Sequence, residues 1–267
     1  MSLGTVSGCL PFSGKLPANI QKKGERLLAT ILIVGATGMT GLRLVEQLLA
    51  KDHKVRVIVR TPQKFALGIL DNSNLKVTKA AVLDLNDQQM TELVKDCDAI
   101  VSCLGHVMDF KGMYGEPRKL CTDATRRLSG AIEANNPPES VKFILMNTVG
   151  VRNPDLPEKR TWYERGLLTL LRYGLPPHRD NETAAEYLHR SVGKGNKHIE
   201  WCSVRPDSLI NAEVSSYDIE ESPTTGIFTG RPTTRSNVAH FMTALIENAE
   251  LWDRWKFSCP VIMNSNV

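Results

Sequence analysis

The chain has 267 residues, 42% of them hydrophobic, which is enough for a full core and excludes a disordered polar chain. Its formal charge of +4 is mild, and Lys and Arg are interleaved with acids, so no nucleic-acid partner is expected. Apolar runs such as 27–34 fall short of the about 20 residues that a bilayer-spanning helix needs, so no transmembrane segment is expected either.

The cysteines (Cys9, Cys97, Cys103, Cys121, Cys202 and Cys259) show no C-x-x-C and no His/Cys grouping at zinc spacing. Free thiols in a reducing compartment and no bound metal are the expectation, with a cytoplasmic location. Residues 1–24 contain no acid and no apolar h-region, so a secretory signal is not expected. Residues 1–28 read as a flexible tail; organelle targeting is the alternative.

From residue 29 onward, apolar runs alternate with helical stretches. Strands are expected over 29–34, 54–60, 75–82, 99–104 and 141–146. Between them, helices are expected over the segment after Gly41, a short turn at Pro62, 86–95 with Asn86 as cap, and 118–135. This βα series calls for an α/β fold, a Rossmann-type doubly wound parallel sheet. After Met146 the regularity drops. A helix is expected over 162–173, a break at Gly174–Pro177, a helix over 180–192, a strand over 199–204, a helix over 236–248 and a last strand over 257–263. Residues 29–267 read as one domain whose small substrate lobe comes mainly from 150–190 and 207–235.

The organising motif is Gly35-Ala36-Thr37-Gly38-Met39-Thr40-Gly41. It follows an apolar strand and opens an amphipathic helix. Backbone N–H groups and the helix dipole at such a turn favour an anion, so a dinucleotide pyrophosphate is the expected ligand. An acidic residue about 20 residues further on would hold a ribose 2′-hydroxyl. That place holds Arg60, which suits a 2′-phosphate, so NADP(H) is expected over NAD(H). Arg43, early in the same helix, could assist.

The glycine turn, the Val-Ile-Val-Arg60 strand end, Leu83-Asp84-Leu85, Asp98 to Gly105 and Val204-Arg-Pro206 resemble the atypical short-chain dehydrogenase/reductases. The segment Thr234 to Phe241 is similar to the C-terminal helix of the NAD(P)H-binding branch with NmrA-like and biliverdin/flavin reductase B-like members. The resemblance spans about 29–263. It implies that the backbone around Thr37–Thr40 holds the pyrophosphate and that Asp84 and Leu85 flank the adenine. It further implies that Cys103, Leu104 and Gly105 line the ribose path and that Pro206 sits near the nicotinamide.

Relatives of this type often use a Ser or Thr after the fifth strand and a Tyr-x-x-x-Lys pair for proton transfer. Thr148 fits the first role, but no tyrosine has a lysine four residues on. In the expected register the pair becomes His178 and Glu182. Three outcomes stay open: His178 is the acid, hydride moves without a protein proton donor, or there is no catalysis. His106, after Gly105, is a candidate for substrate contact, and the aromatic, cationic stretch 160–173 is a candidate lid, partner face or membrane-surface helix. The sequence therefore carries two main readings. One is an NADP(H)-dependent oxidoreductase acting on an unidentified small molecule. The other is a non-catalytic NADP(H)-binding sensor that presents a surface to a protein partner. A sugar-nucleotide epimerase is a third, weakened by the missing pair.

Overall fold

The computed structural model describes residues 14–16, 28–106, 114–158, 160–224, 226 and 230–265. In chain order the strands are β1 (Gly14–Leu16), β2 (Thr30–Val34), β3 (Lys54–Val59), β4 (Leu75–Lys79), β5 (Ala99–Ser102), β6 (Val141–Met146), β7 (Ile199–Pro206), β8 (Leu209–Ile210), β9 (Tyr217–Glu220), β10 (Thr233–Thr234) and β11 (Val261–Asn264). The helices are α1 (Met39–Leu49), α2 (Leu67–Leu70), α3 (Asp87–Val94), α4 (Leu120–Asn135), α5 (Trp162–Gly174), α6 (Pro176–Glu186), α7 (Arg235–Glu247) and α8 (Ala249–Trp255).

The main sheet runs β4-β3-β2-β5-β6-β7-β11-β9-β1. Strands β4 through β11 pair in parallel, while β9 and β1 add antiparallel at the end. Chain order reverses between β2 and β5. In open α/β sheets the crevice above such a reversal, at the carboxyl ends of the strands, is where ligands bind.

Strand side chains alternate between two cores, as the two-residue strand period requires. Ile31 and Ile33 of β2 join the core under α1 and α7; Leu32 and Val34 join the one under α3, α4 and α6. Full burial of each such side chain contributes roughly 1.5–3 kcal/mol. Both faces being covered is why β2 reads as a continuous apolar run. Asn86 caps α3 as expected, and Gln89 completes a capping box: the Asn86 side chain accepts from the Gln89 N–H and the Gln89 side chain from the Asn86 N–H.

Several elements differ from the sequence expectation. Gly14–Leu16, within the stretch read as a flexible tail, pairs with β9 as an edge strand, a role that needs only backbone groups. Helix α6 starts at Pro176 and Pro177, because proline at the first helical positions forfeits only N–H groups that have no intrahelical partner. The expected break is thus a single residue, Leu175, between two helices. Residues 187–192 continue as a π-helical turn ending at Gly193, φ 70°. The last strand starts at Val261 instead of Phe257, since Phe257 sits at φ 59° and Pro260 lacks an N–H. Helix α8 was not foreseen; Asn248 caps it through the Leu251 N–H at 2.9 Å.

Candidate functional site

The turn between β2 and α1 is built from backbone. Gly35 has φ +75°, and a Cβ there would sit 2.4 Å from the Cys103 carbonyl oxygen at the end of β5. A Cβ on Gly41 would sit 2.3 Å from the Gly35 carbonyl. The glycines therefore let the turn fold onto itself and onto the neighbouring strand end. Gly38 is the N-cap of α1 and has no side-chain cap, and the first turn carries no acid. By contrast, α3, α5, α7 and α8 start on Asn86, Thr161, Thr234 and Asn248, each accepting a backbone N–H. The start of α1 thus presents open N–H groups and the positive end of the helix dipole at the carboxyl edge of the sheet.

The other residues expected around a cofactor surround the same edge. Ala36 and Thr40 are buried within the turn, Thr37 is half-buried and Met39 is exposed. Arg60 follows β3 and is exposed, with no hydrogen bond or ion pair among the described residues. Asp84 is exposed and Leu85 buried, in a loop that the sequence did not show to be clamped. Arg127 of α4 clamps it, donating to the carbonyls of Val82, Leu83 and Leu85. Cys103 is buried, and desolvation pushes its thiol up to about 12, so it packs as an apolar group. Leu104 and Gly105 follow it at the same edge, and Pro206 ends β7.

Beyond β5 and β6 the site is built from side chains, and α6 carries most of it. Asp180 is buried, and its two oxygens accept four bonds. These come from His106 Nε2 at 2.8 Å, Cys121 N at 2.7 Å, Thr122 N at 2.9 Å and Thr122 Oγ1 at 2.6 Å. Asp180 is therefore the N-terminal cap of α4, supplied by another helix, and it holds the Nε2 proton of His106. Burial pushes its carboxyl up, but the bonds from His106, Thr122 and Cys121 outweigh that and hold it below the ordinary 3.8. His106, Cys121 and Asp180 each place a donor atom within 4.8 Å of the others. With its four lone-pair positions taken, the carboxylate could ligate a metal only by giving up the cap or His106.

His178 lies in the first turn of α6, its ring against Gly150 in the loop after β6, where a Cβ would be 3.2 Å from His178 Cε1. Its side chain is 10% exposed, and Nε2 is buried with no hydrogen-bond partner, 3.6 Å from Glu182 Oε1. Burial lowers its pKa below 6.5; Glu182 opposes that, and Arg172 and Arg160 add to it. Thr148 lies in the same loop, its hydroxyl accepting the Gly150 N–H at 3.3 Å. Asn147 fixes this loop to α6, donating to the Asn181 carbonyl at 3.0 Å and accepting the Thr148 N–H at 2.9 Å. The structure thus brings the Thr148 loop and His178 together and places His106 two residues beyond Leu104, whose backbone underlies Gly35.

Sequence reasoning missed a buried ion network behind this loop. Arg205 is fully buried in β7, bonded to Glu158 and to the carbonyls of Cys259 and Val151 at 2.7 and 2.8 Å. Glu158 also accepts Arg160 at 3.0 Å, and Arg160 bonds the Val149 carbonyl at 2.7 Å. The network ties Val149, Val151, Glu158 and Arg160 to the end of β7. No spacing signal pairs 158 with 205; only the charges in a lobe expected to be irregular hinted at it.

A family model described as NAD(P)H-binding matches residues 35–249. An uncharacterised chloroplastic protein of Arabidopsis thaliana is 32% identical over 75 residues, which is 28% of this chain and 27% of that protein. Among solved structures, a short-chain dehydrogenase/reductase from Veillonella parvula in complex with NADP superposes with TM-score 0.65 at 14% identity, covering 90% of this chain and 96% of that one. The oxidoreductase ylbE from Lactococcus lactis gives 0.62 at 19%, covering 89% and 92%. The anaerobillin reductase ChuY of Escherichia coli O157:H7 gives 0.62 at 16%, covering 89% and 98%. These likenesses confirm the Rossmann-type fold. No helix among the described residues is long and apolar enough to cross a membrane.

Proposed function

The chain belongs to the NAD(P)H-binding family, and from that premise we propose that it is an NADPH-dependent oxidoreductase that reduces a small conjugated or carbonyl-bearing acceptor. Residues 35–41 would hold the pyrophosphate, Arg60 the 2′-phosphate, Asp84 and Leu85 the adenine, Cys103–Gly105 the ribose path, and Pro206 the nicotinamide end. When bound, the dinucleotide supplies the hydride. The chain's own part is to orient the acceptor, shed water and supply a proton.

One observation carries the enzymatic reading: His178 Nε2 is buried beside the Thr148 loop without a hydrogen bond, its ion-pair neighbour Glu182 Oε1 standing off at 3.6 Å. Buried polar atoms are nearly always paired, so an orphan at a carboxyl-edge crevice supports a ligand-facing role. His178 takes the acid's place that Tyr holds in relatives, and Thr148 orients the acceptor oxygen. His106, whose Nε2–H is held by Asp180, stands as a second oriented imidazole on the β5 side.

The test is NADPH oxidation against a panel of quinones, flavins, linear tetrapyrroles and aldehydes, with the His178→Ala and Thr148→Ala variants alongside. Turnover lost in these variants with NADPH binding kept supports the reading. NADPH binding with no acceptor turned over by wild type would favour the sensor. The observation on the sensor's side is α5, which exposes Trp162 by 81%, Leu170 by 68% and Tyr173 by 79%, an apolar face suited to a protein partner. A cytoplasmic location is proposed, and a fluorescent fusion of residues 1–28 tests organelle delivery against it.

A further inference from the structure

We propose that Arg43 and Arg235 form an anion-binding site, and that its ligand is the carboxylate of an otherwise apolar acceptor. The anion site stands on its own geometry, while its assignment to the acceptor rests on the oxidoreductase reading above.

Arg43 lies two residues past Gly41 in α1, and Arg235 is the first residue of α7. Arg43 Nε donates to Ser236 Oγ at 3.2 Å, and its Nη1 to the Met39 carbonyl at 2.6 Å. Ser236 Oγ in turn donates to the Ala212 carbonyl at 2.7 Å, which leaves its lone pairs for Arg43. Arg235 Nη1 donates to the Leu209 carbonyl at 3.2 Å and to Asn211 Oδ1 at 3.0 Å. Arg235 bonds Asn211, and Arg43 reaches the adjacent Ala212 through Ser236, so both guanidiniums gather on the segment 209–212 beside the start of α7. Every acceptor they use is neutral, and no acidic side chain among the described residues lies within ion-pair distance of either. Burial, and then the neighbouring Arg43, lower the pKa of Arg235.

Two half-buried cations anchored on one segment without a counter-charge repel each other, and an anion between them relieves that repulsion. The site's position says which anion. Met39 opens α1, and Leu209 and Asn211 follow the end of β7, so the pair lies on the rim between the glycine turn and β7. Arg60 ends β3, and β3 and β7 lie on opposite sides of β2 in the sheet. The arginine pair is thus toward the β7 flank, away from the expected 2′-phosphate. Met39, 56% exposed, and Ile210, 41% exposed, lie beside it and would take an apolar body. Free guanidinium donors match a carboxylate in fork geometry.

The test uses calorimetric titration of 1-naphthoate and of neutral 1-naphthalenemethanol, with and without NADP+, into wild type, Arg235→Gln and the Arg43→Gln/Arg235→Gln double variant. Kd for NADPH and NADH is measured on the same proteins. The expected result is that wild type prefers 1-naphthoate, that the double variant binds it about 10- to 100-fold more weakly, and that Arg235→Gln, which removes no residue expected at the cofactor, leaves the neutral probe and both dinucleotides unaffected. A loss for NADPH alone would assign the pair to the 2′-phosphate, and an equal loss for NADPH and NADH to the pyrophosphate; either overturns the acceptor assignment. No 1-naphthoate preference in wild type, or unchanged affinities in variants with wild-type circular dichroism and Tm, overturns the site itself. Arg235→Gln, whose lost bonds go only to the Leu209 carbonyl and the Asn211 side chain, carries the test if the double variant does not fold. Failure of wild type to bind NADPH would contradict the oxidoreductase reading, while the titrations without cofactor would still decide the arginine pair.

Discussion

The two halves of the crevice are held in different ways. The β2–α1 turn is fixed by what is missing: side chains at Gly35 and Gly41, and a cap at Gly38. The β6–β7 half is fixed by what is buried: Asp180 under four hydrogen bonds, and Glu158 between Arg205 and Arg160. The first arrangement needs only local backbone and suits a ligand part common to all dinucleotides. The second needs partners far apart in the chain and can be respecified by exchanging side chains, as a site facing a variable acceptor would require.

The largest test of this contrast is Glu158→Ala. It leaves Arg205 buried without its counter-charge and is expected to cost about 3–5 kcal/mol in urea unfolding. A loss near zero would mean that the network does not brace the lobe. Next comes Gly35→Ala. A methyl at φ +75° and 2.4 Å from a carbonyl oxygen combines backbone strain with overpacking. About 2–5 kcal/mol of stability and most NADPH binding should be lost. Were binding retained, the turn would not be the cofactor seat.

Asp180→Asn should cost roughly 1.5–3 kcal/mol, the range for a hydrogen-bonded charged group, and should also change the pH dependence. The folded pKa of Asp180 lies below 3.8. Its contribution is therefore fully present above that ordinary value and is lost as pH falls through the lower folded value. Urea unfolding of wild type and variant should differ most near neutrality and converge in acid; parallel curves throughout would contradict the assignment. A kinetic test of His178 is smaller in free energy. Burial keeps its pKa below 6.5, so it is mostly neutral at pH 7. Turnover should then rise as pH falls below 6.5 toward that lowered pKa, and this limb should vanish in His178→Gln with NADPH affinity unchanged. A limb that persists in the variant would move the proton source elsewhere, His106 first.

The same contrast explains what could be read from the sequence. The glycine turn, the alternating βα order and the Asn86 cap depend on neighbours in sequence, so composition and spacing reveal them. The His106–Asp180 contact spans 74 positions and Arg205–Glu158 spans 47. No periodicity links such pairs, and buried charges in a lobe that looks irregular resemble solvated ones. Arg127 was hidden in the same way, because its three carbonyl acceptors belong to a loop more than 40 positions away. The start of α6 was misjudged for a local reason instead, since Pro176 and Pro177 read as a stop when they form the first turn.

In the proposed complex an NADP(H) dinucleotide lies across the β2–α1 turn with its 2′-phosphate at Arg60. Titrating NADPH and NADH into wild type and Arg60→Glu tests it most directly. Wild type should prefer NADPH, and the variant should bind NADPH about 10- to 100-fold more weakly while NADH changes little. An NADPH/NADH preference that is the same in both proteins would contradict it.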